Sequence, residues 1–168
     1  MFSRRGFTLI ELLVVIAIIG ILASVVLVSL SGAREKSFNA SREAQIAEFI
    51  KALESHYSEH GSYPDVASPA CLGDHGGNCG VFGTGSEYSN NAILDAALAP
   101  YFNPLPAIAT DPIATTGGGD YIGISYTDNF SGQAYAINYY LKGVDECRGG
   151  SVVFDAGVNT GCQFNSNI

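Results

Sequence analysis

Residues 7–31 read FTLIELLVVIAIIGILASVVLVSLS, an almost wholly apolar run in which Glu11 is the one charged side chain. The uncharged stretch 12–30, as a helix at about 1.5 Å per residue, is roughly 28 Å long, close to the ~30 Å of a bilayer's hydrocarbon core. Beyond residue 32 the pattern becomes periodic. In residues 33–60, AREKSFNASREAQIAEFIKALESHYSEH, the apolar positions Ile46, Phe49, Ile50, Leu53 and Tyr57 fall at offsets 0, 3, 4, 7 and 11. That is the stripe of an amphipathic helix. Arg42, Glu43, Glu48, Lys51 and Glu54 occupy its other faces, and Glu48 and Lys51 are spaced for an i,i+3 ion pair. Gly61 is a natural stop and Pro64 prevents resumption. One helix over residues 7–60 is predicted, its first half long enough to span a membrane and its second half packed under a head.

Residues 65–92 are rich in Gly, Ser, Asn and Asp and read as loop. Residues 92–102 (AILDAALAPYF) form a short helix ending near Pro100; 103–106 and 111–112 are proline-marked turns or extended pieces, and 115–119 (TTGGG) is a turn. Strands are predicted at 121–127, 133–141 and 151–154, the first two joined by a hairpin loop at 128–132. Ile122, Ile124 and Tyr126 of the first, and Tyr135, Ile137, Tyr139 and Leu141 of the second, alternate with smaller or polar residues and should pack on the helix stripe. The expected fold class is α+β, a long N-terminal helix against a small antiparallel sheet.

Charge and composition sharpen the division. The chain has 168 residues and a formal charge of −8. Residues 1–60 hold six Lys/Arg and six Asp/Glu, whereas 61–168 hold ten acids and only Lys142 and Arg148 as cations. All six Pro, all four Cys and 17 of the 20 Gly also follow residue 60. A head this acidic argues against tracking phosphates, and no nucleic-acid partner is expected. Arg4 and Arg5 precede the apolar run, which places the N-terminus in the cytoplasm and the head, with its cysteines, outside. A secretory signal peptide fits poorly, because the run exceeds the usual h-region of about 7–15 residues and no A-x-A-like site ends it. A plain anchor leaves Glu11 unexplained, since a charge in a membrane helix costs about 2.5–3.5 kcal/mol at its centre and less near an end.

The segment Arg4-Arg5-Gly6-Phe7-Thr8-Leu9-Ile10-Glu11-Leu12-Leu13 resembles the prepilin signature of type IV pilins and type II secretion pseudopilins. The resemblance implies cleavage between Gly6 and Phe7 by a prepilin peptidase, N-methylation of the Phe7 amine, and retention of the apolar helix. It divides the chain into a leader (1–6), a helix (7–60, with 7–31 as transmembrane segment and filament core) and a pilin head (61–168). It implies as partners other copies of the chain and related pilins, the peptidase/N-methylase and an inner-membrane assembly platform. The chain would be a single-pass inner-membrane protein before assembly, and part of an extracellular pilus or periplasmic pseudopilus afterwards. Glu11, favoured by the helix dipole within its own chain, would neutralise a neighbour's Phe7 amine and fix axial register. Many pilins carry a proline where this chain has Val28; residues 12–60 contain none. Gly20 and Gly32 remain as soft points, each costing about 1 kcal/mol against Ala.

Four cysteines allow three pairings. Linking chain neighbours gives Cys71–Cys79 and Cys147–Cys162, the second resembling the C-terminal disulfide loop of many pilins. The exit Gly61-Ser62-Tyr63-Pro64, and Asp111-Pro112 followed by a Tyr-rich hairpin, also resemble the smaller family members. The major pseudopilin carries a structural Ca²⁺ after its Asp-Pro, which makes Asp111, Asp120 and Asp128 candidate ligands. No D-x-D-x-D-G order is present, and solvated turn aspartates are the expectation, so no cofactor is predicted. His56-Tyr57-Ser58-Glu59-His60 fits the H-x-x-E-H zinc pattern, with Glu87 or Glu146 as third ligand. Its place in a last helical turn favours two solvent-facing histidines instead. With neither G-x-S-x-G nor P-loop, and Gly83-Thr84-Gly85 lacking a strand–turn–helix context, an enzyme is not expected. The reading is a structural subunit of a type IV pilus-like filament. Its alternatives are a type II secretion pseudopilin, favoured by the Gly-Ser-Tyr-Pro exit, and a minor pilin acting as an adhesin.

Overall fold

A computed structural model of the chain describes residues 7–75, 79–82, 86–108, 113–114, 120–121, 123–129, 131–155 and 159–166. Helix α1 spans Leu9–His60 without a break. Internal contacts divide the chain into two compact units, Met1–Ser37 and Phe38–Ile168. In the first, residues 7–26 are exposed throughout.

The second unit begins with the C-terminal part of α1, which buries Asn39, Arg42, Ile46, Phe49, Ala52, Leu53 and His56. The apolar stripe read from sequence is therefore its centre, and polar residues at the same spacing extend it at both ends. Tyr57 sits at the margin, 37% exposed, its ring 4.6 Å from that of Tyr63. Gly61 ends the helix with φ +75° and donates its N–H to Tyr57 O at 2.8 Å, as a left-handed cap requires.

The strands are β1 (Ala70–Cys71), β2 (Gly80–Phe82), β3 (Ser86–Tyr88), β4 (Ile113–Ala114), β5 (Asp120–Tyr121), β6 (Ile124–Asn129), β7 (Ala134–Lys142), β8 (Ser151–Asp155) and β9 (Asn159–Asn165). Five form an antiparallel sheet ordered β1-β6-β7-β9-β8, and four a smaller one ordered β3-β2-β5-β4. Helix α2 (Ala92–Leu98) follows β3; Asn91 caps it by accepting from the N–H groups of Ile93 and Leu94, and it buries Leu94 and Leu98. At Pro100 it tightens into a 3₁₀ turn, Ala99–Tyr101.

One buried cluster unites Ile46, Phe49 and Leu53 of α1 with Leu94 and Leu98 of α2 and with Ile124, Tyr126, Tyr135, Ile137, Tyr139, Leu141 and Cys162 of the sheet. Each large side chain withdrawn this way contributes about 1.5–3 kcal/mol. The β6–β7 hairpin is tied to the helix exit, because Tyr63 donates its N–H to Gly132 O at 2.8 Å. Gly132 has φ +80°, and a Cβ there would stand 2.9 Å from Tyr63 O, so glycine is required twice over.

Several expectations need correction. The 65–92 stretch expected to be loop contains β1, β2 and β3. The strand expected from residue 121 starts at Ile124, Tyr121 belongs to the other sheet, and Ile122 lies outside the described residues. Strand β8 pairs with β9, which the reading lacked, because NTGCQFN carries too few apolar residues to display its alternation. Finally, β7 is buried at every residue from 134 to 141. As the central strand of five it is covered on both faces, and only its Tyr135, Ile137, Tyr139, Leu141 face was expected to be.

Candidate functional site

At the N-terminus, Phe7 is 84% exposed ahead of the helix. Thr8 and Glu11 then form a reciprocal capping box. Glu11 Oε2 accepts the Thr8 N–H at 2.8 Å and the Thr8 hydroxyl at 2.7 Å, and the Glu11 N–H reaches Thr8 Oγ1 at 3.4 Å. The carboxylate thus has two donors from its own chain and lies at the positive end of the helix dipole. Behind it, Leu9, Ile10, Leu12, Leu13, Ile18, Ile19, Ile21 and Leu22 are all exposed. A contiguous apolar surface of this kind marks an interface or a membrane. Among the described residues, α1 is the one helix long and apolar enough to cross a membrane. Gly6 and the two arginines before it lie outside the described residues.

In the head, Cys71 is bonded to Cys79 with Cα atoms 5.4 Å apart, and Cys147 to Cys162 with Cα atoms 5.6 Å apart. The first bridge closes the loop between β1 and β2; the second fastens the connection after β7 to strand β9.

The H-x-x-E-H residues do not converge. His56 was expected to face solvent, yet it is only 8% exposed, because it continues the spacing of Phe49 and Leu53. Its Nδ1 lies 3.0 Å from Ser62 O, and His60 Nδ1 lies 3.1 Å from His56 O. The rings stack with centroids 4.2 Å apart, while Glu59 accepts from the Tyr101 hydroxyl at 2.8 Å. Among the candidate Ca²⁺ ligands, Asp128 Oδ1 accepts the Gly132 N–H at 2.7 Å in the hairpin turn. Asp111 and the side chain of Asp120 lie outside the described residues, as does that of Glu87. Among the described residues no three His, Cys, Asp or Glu side chains are grouped to hold a metal.

Three polar arrangements were not read from the sequence. Asn39 Nδ2 donates to Lys142 O and to Asp145 Oδ2. Glu54 accepts from the hydroxyls of Tyr63 and Tyr135 at 3.1–3.2 Å. Burial first, and the Glu54 charge second, push the Tyr63 hydroxyl up to about 12. His75, between the bridged Cys71 and Cys79, is buried against the start of β6. Asn39 and His56 carried a signal, the helical spacing they share with the apolar stripe; His75 carried none.

Comparison with known proteins agrees with the N-terminal geometry. Residues 1–27 match the family described as the prokaryotic N-terminal methylation motif. The chain is 41% identical over 62 residues to the type II secretion system core protein G of Escherichia coli (strain K12), covering 37% of this chain and 43% of that protein. It is 35% identical over 75 residues to the type IV major pilin protein PilA of Myxococcus xanthus (strain DK1622), covering 45% and 34%. It is 41% identical over 61 residues to the type IV wide pilus major component PilA4 of Thermus thermophilus, covering 36% and 47%. The chain thus spans less than half the length of these curated relatives. No solved structure matches it. The chain carries the N-terminal methylation motif, and its homologues are type II secretion pseudopilins and type IV pilins.

Proposed function

We propose that the chain is a structural subunit of a type IV pilus-like filament, cleaved between Gly6 and Phe7, methylated on Phe7 and assembled through its apolar helix. The observation that carries this reading is the exposure of every residue from 9 to 26 on one continuous helix. Burying that surface against other copies supplies the driving force, and the acidic head is left facing outward. Glu11 exchanges its contacts with Thr8 for the cationic Phe7 amine of a neighbour, since an unpaired charge inside a dry bundle is costly. The two disulfides suit a head that lies in an oxidising compartment, and the role requires neither catalysis nor a cofactor. Partners on this reading are further copies, the processing enzyme and a membrane assembly platform, with the N-terminus cytoplasmic before assembly.

Expression with and without a prepilin peptidase tests the reading. Filaments should pellet from the sheared surface fraction only when the peptidase is present, and Glu11→Ala should abolish or strongly reduce them. Equal filament yield without processing, or with Glu11→Ala, overturns it. A second reading, a pseudopilin of type II secretion, is favoured by the relatives named core protein G. Neighbouring genes for a secretin and a secretion ATPase, rather than a retraction ATPase, would select it.

A further inference from the structure

His75 stands at the junction between the cystine loop and the main sheet, with both ring nitrogens engaged. Nδ1 lies 3.0 Å from Gly73 O, which can only accept, so Nδ1 carries the hydrogen. The neutral ring therefore presents a bare Nε2, which accepts the Ile124 N–H at 3.2 Å. Around it, the Leu72 N–H donates to Ile124 O and the Gly123 N–H to Cys79 O, both at 2.9 Å. The ring is thus built into the short ladder that joins the loop to β6. The fit is close: a Cβ on Gly123 would run into Nε2 and Cδ2 of His75, and stand 2.9 Å from Cys79 Cβ. Only 6% of the residue is exposed.

We propose that His75 is an acid-sensitive latch: neutral, it keeps closed the short ladder that ties Leu72 and Cys79 to Gly123 and Ile124, and protonated, it opens that ladder while the rest of the sheet stays folded. Protonation places an N–H on Nε2 directly opposite the Ile124 N–H, donor against donor, and puts a cation in a site with little water. The ring must then leave. The ladder is able to part there, because β1 is a two-residue strand at the edge of the main sheet and short edges belong to the weakly held part of a fold, while Asp74 keeps its bonds to Pro106 and Ile108. The disulfide limits the movement to a hinge.

The charged groups acting on the ring are Arg42 from α1, which opposes its protonation, and Asp74 of the loop, which favours it. Asp95 of α2 interacts with Asp74. Ile124 and Gly123 bring no ionisable group, and the cystine does not titrate. Burial outweighs the rest and lowers the imidazole to about 4. A histidine depressed in the folded state stabilises fully above its ordinary value near 6.5. That contribution is lost as pH falls towards 4.

Amide exchange of the full chain in detergent micelles, corrected for intrinsic rates, tests the latch. Between pH 6.5 and 3.5 the Leu72, Gly123 and Ile124 amides should lose protection more than tenfold, while Ile137 and Tyr139 keep theirs. His75→Gln, neutral throughout, should show no such acid step, and Asp74→Asn should retain it. Uniform loss across all these amides, no loss at the loop, persistence of the step in His75→Gln, or its disappearance in Asp74→Asn would each overturn the proposal.

Discussion

Asn39 and Lys142 close a pair of hydrogen bonds, with Asn39 Nδ2 2.9 Å from Lys142 O and Lys142 N 2.8 Å from Asn39 Oδ1. A helix side chain thereby takes the place of a neighbouring strand at the end of β7, on one of the most buried positions of the α1 face. Asn39→Ala should destabilise the head by about 1–3 kcal/mol, the cost of leaving buried partners unsatisfied. Asn39→Asp should cost more, because it removes the donor and sets a carboxylate against Asp145. Urea denaturation of the full chain in micelles, followed by tyrosine fluorescence, measures both; a change within error for Asn39→Ala would show that the pair contributes nothing.

Glu54 holds the hydroxyls of Tyr63 and Tyr135, and Tyr63 is pushed up to about 12 by burial and by that carboxylate. A tyrosine raised in the folded state stabilises fully below its ordinary value near 10. That stabilisation is lost as pH climbs through 10 towards 12. Alkaline titration at 295 nm should show Tyr63 silent at pH 10, and Glu54→Gln should bring its transition down, although not fully to 10, since burial persists. A Glu54→Gln profile superimposable on the wild type would dismiss the carboxylate's part.

The Cys147–Cys162 bridge joins residues 15 apart in sequence and encloses β8. Replacing both cysteines by serine should cost about 2–4 kcal/mol, and should loosen β8 and β9 before β6 and β7. Thermal melts, with amide exchange on Val152 and Tyr139 as paired reporters, check the size and the place of the loss.

The elements legible in the sequence were those whose pattern is set by one environment. The stripe at Ile46, Phe49 and Leu53 and the alternation of Tyr135, Ile137, Tyr139 and Leu141 each answer to a single buried face, and the apolar run is uniform because it is exposed all round. Strand β9 was not legible, because its buried positions, Thr160, Gly161 and Cys162, include no large apolar side chain. The second face of β7 was hidden for a related reason: Ala134, Ala136 and Asn138 look like surface residues until other elements cover them. At the N-terminus, Thr8 and Glu11 are spaced as a capping box, which the sequence displays openly beside the interchain pairing that the family resemblance implies. His75 was invisible because its role depends on the missing Cβ of Gly123, nearly 50 residues away in sequence.

The central claim is that the chain is processed at its N-terminus and then packed by its apolar helix into a filament. Mass spectrometry of the intact subunit, taken from sheared surface filaments identified by electron microscopy, tests it most directly. The account predicts that the filament body consists of a chain beginning at N-methylated Phe7 with both disulfides formed. Filaments whose subunits still carry Met1 to Gly6, or filaments that lack this chain altogether, would contradict it.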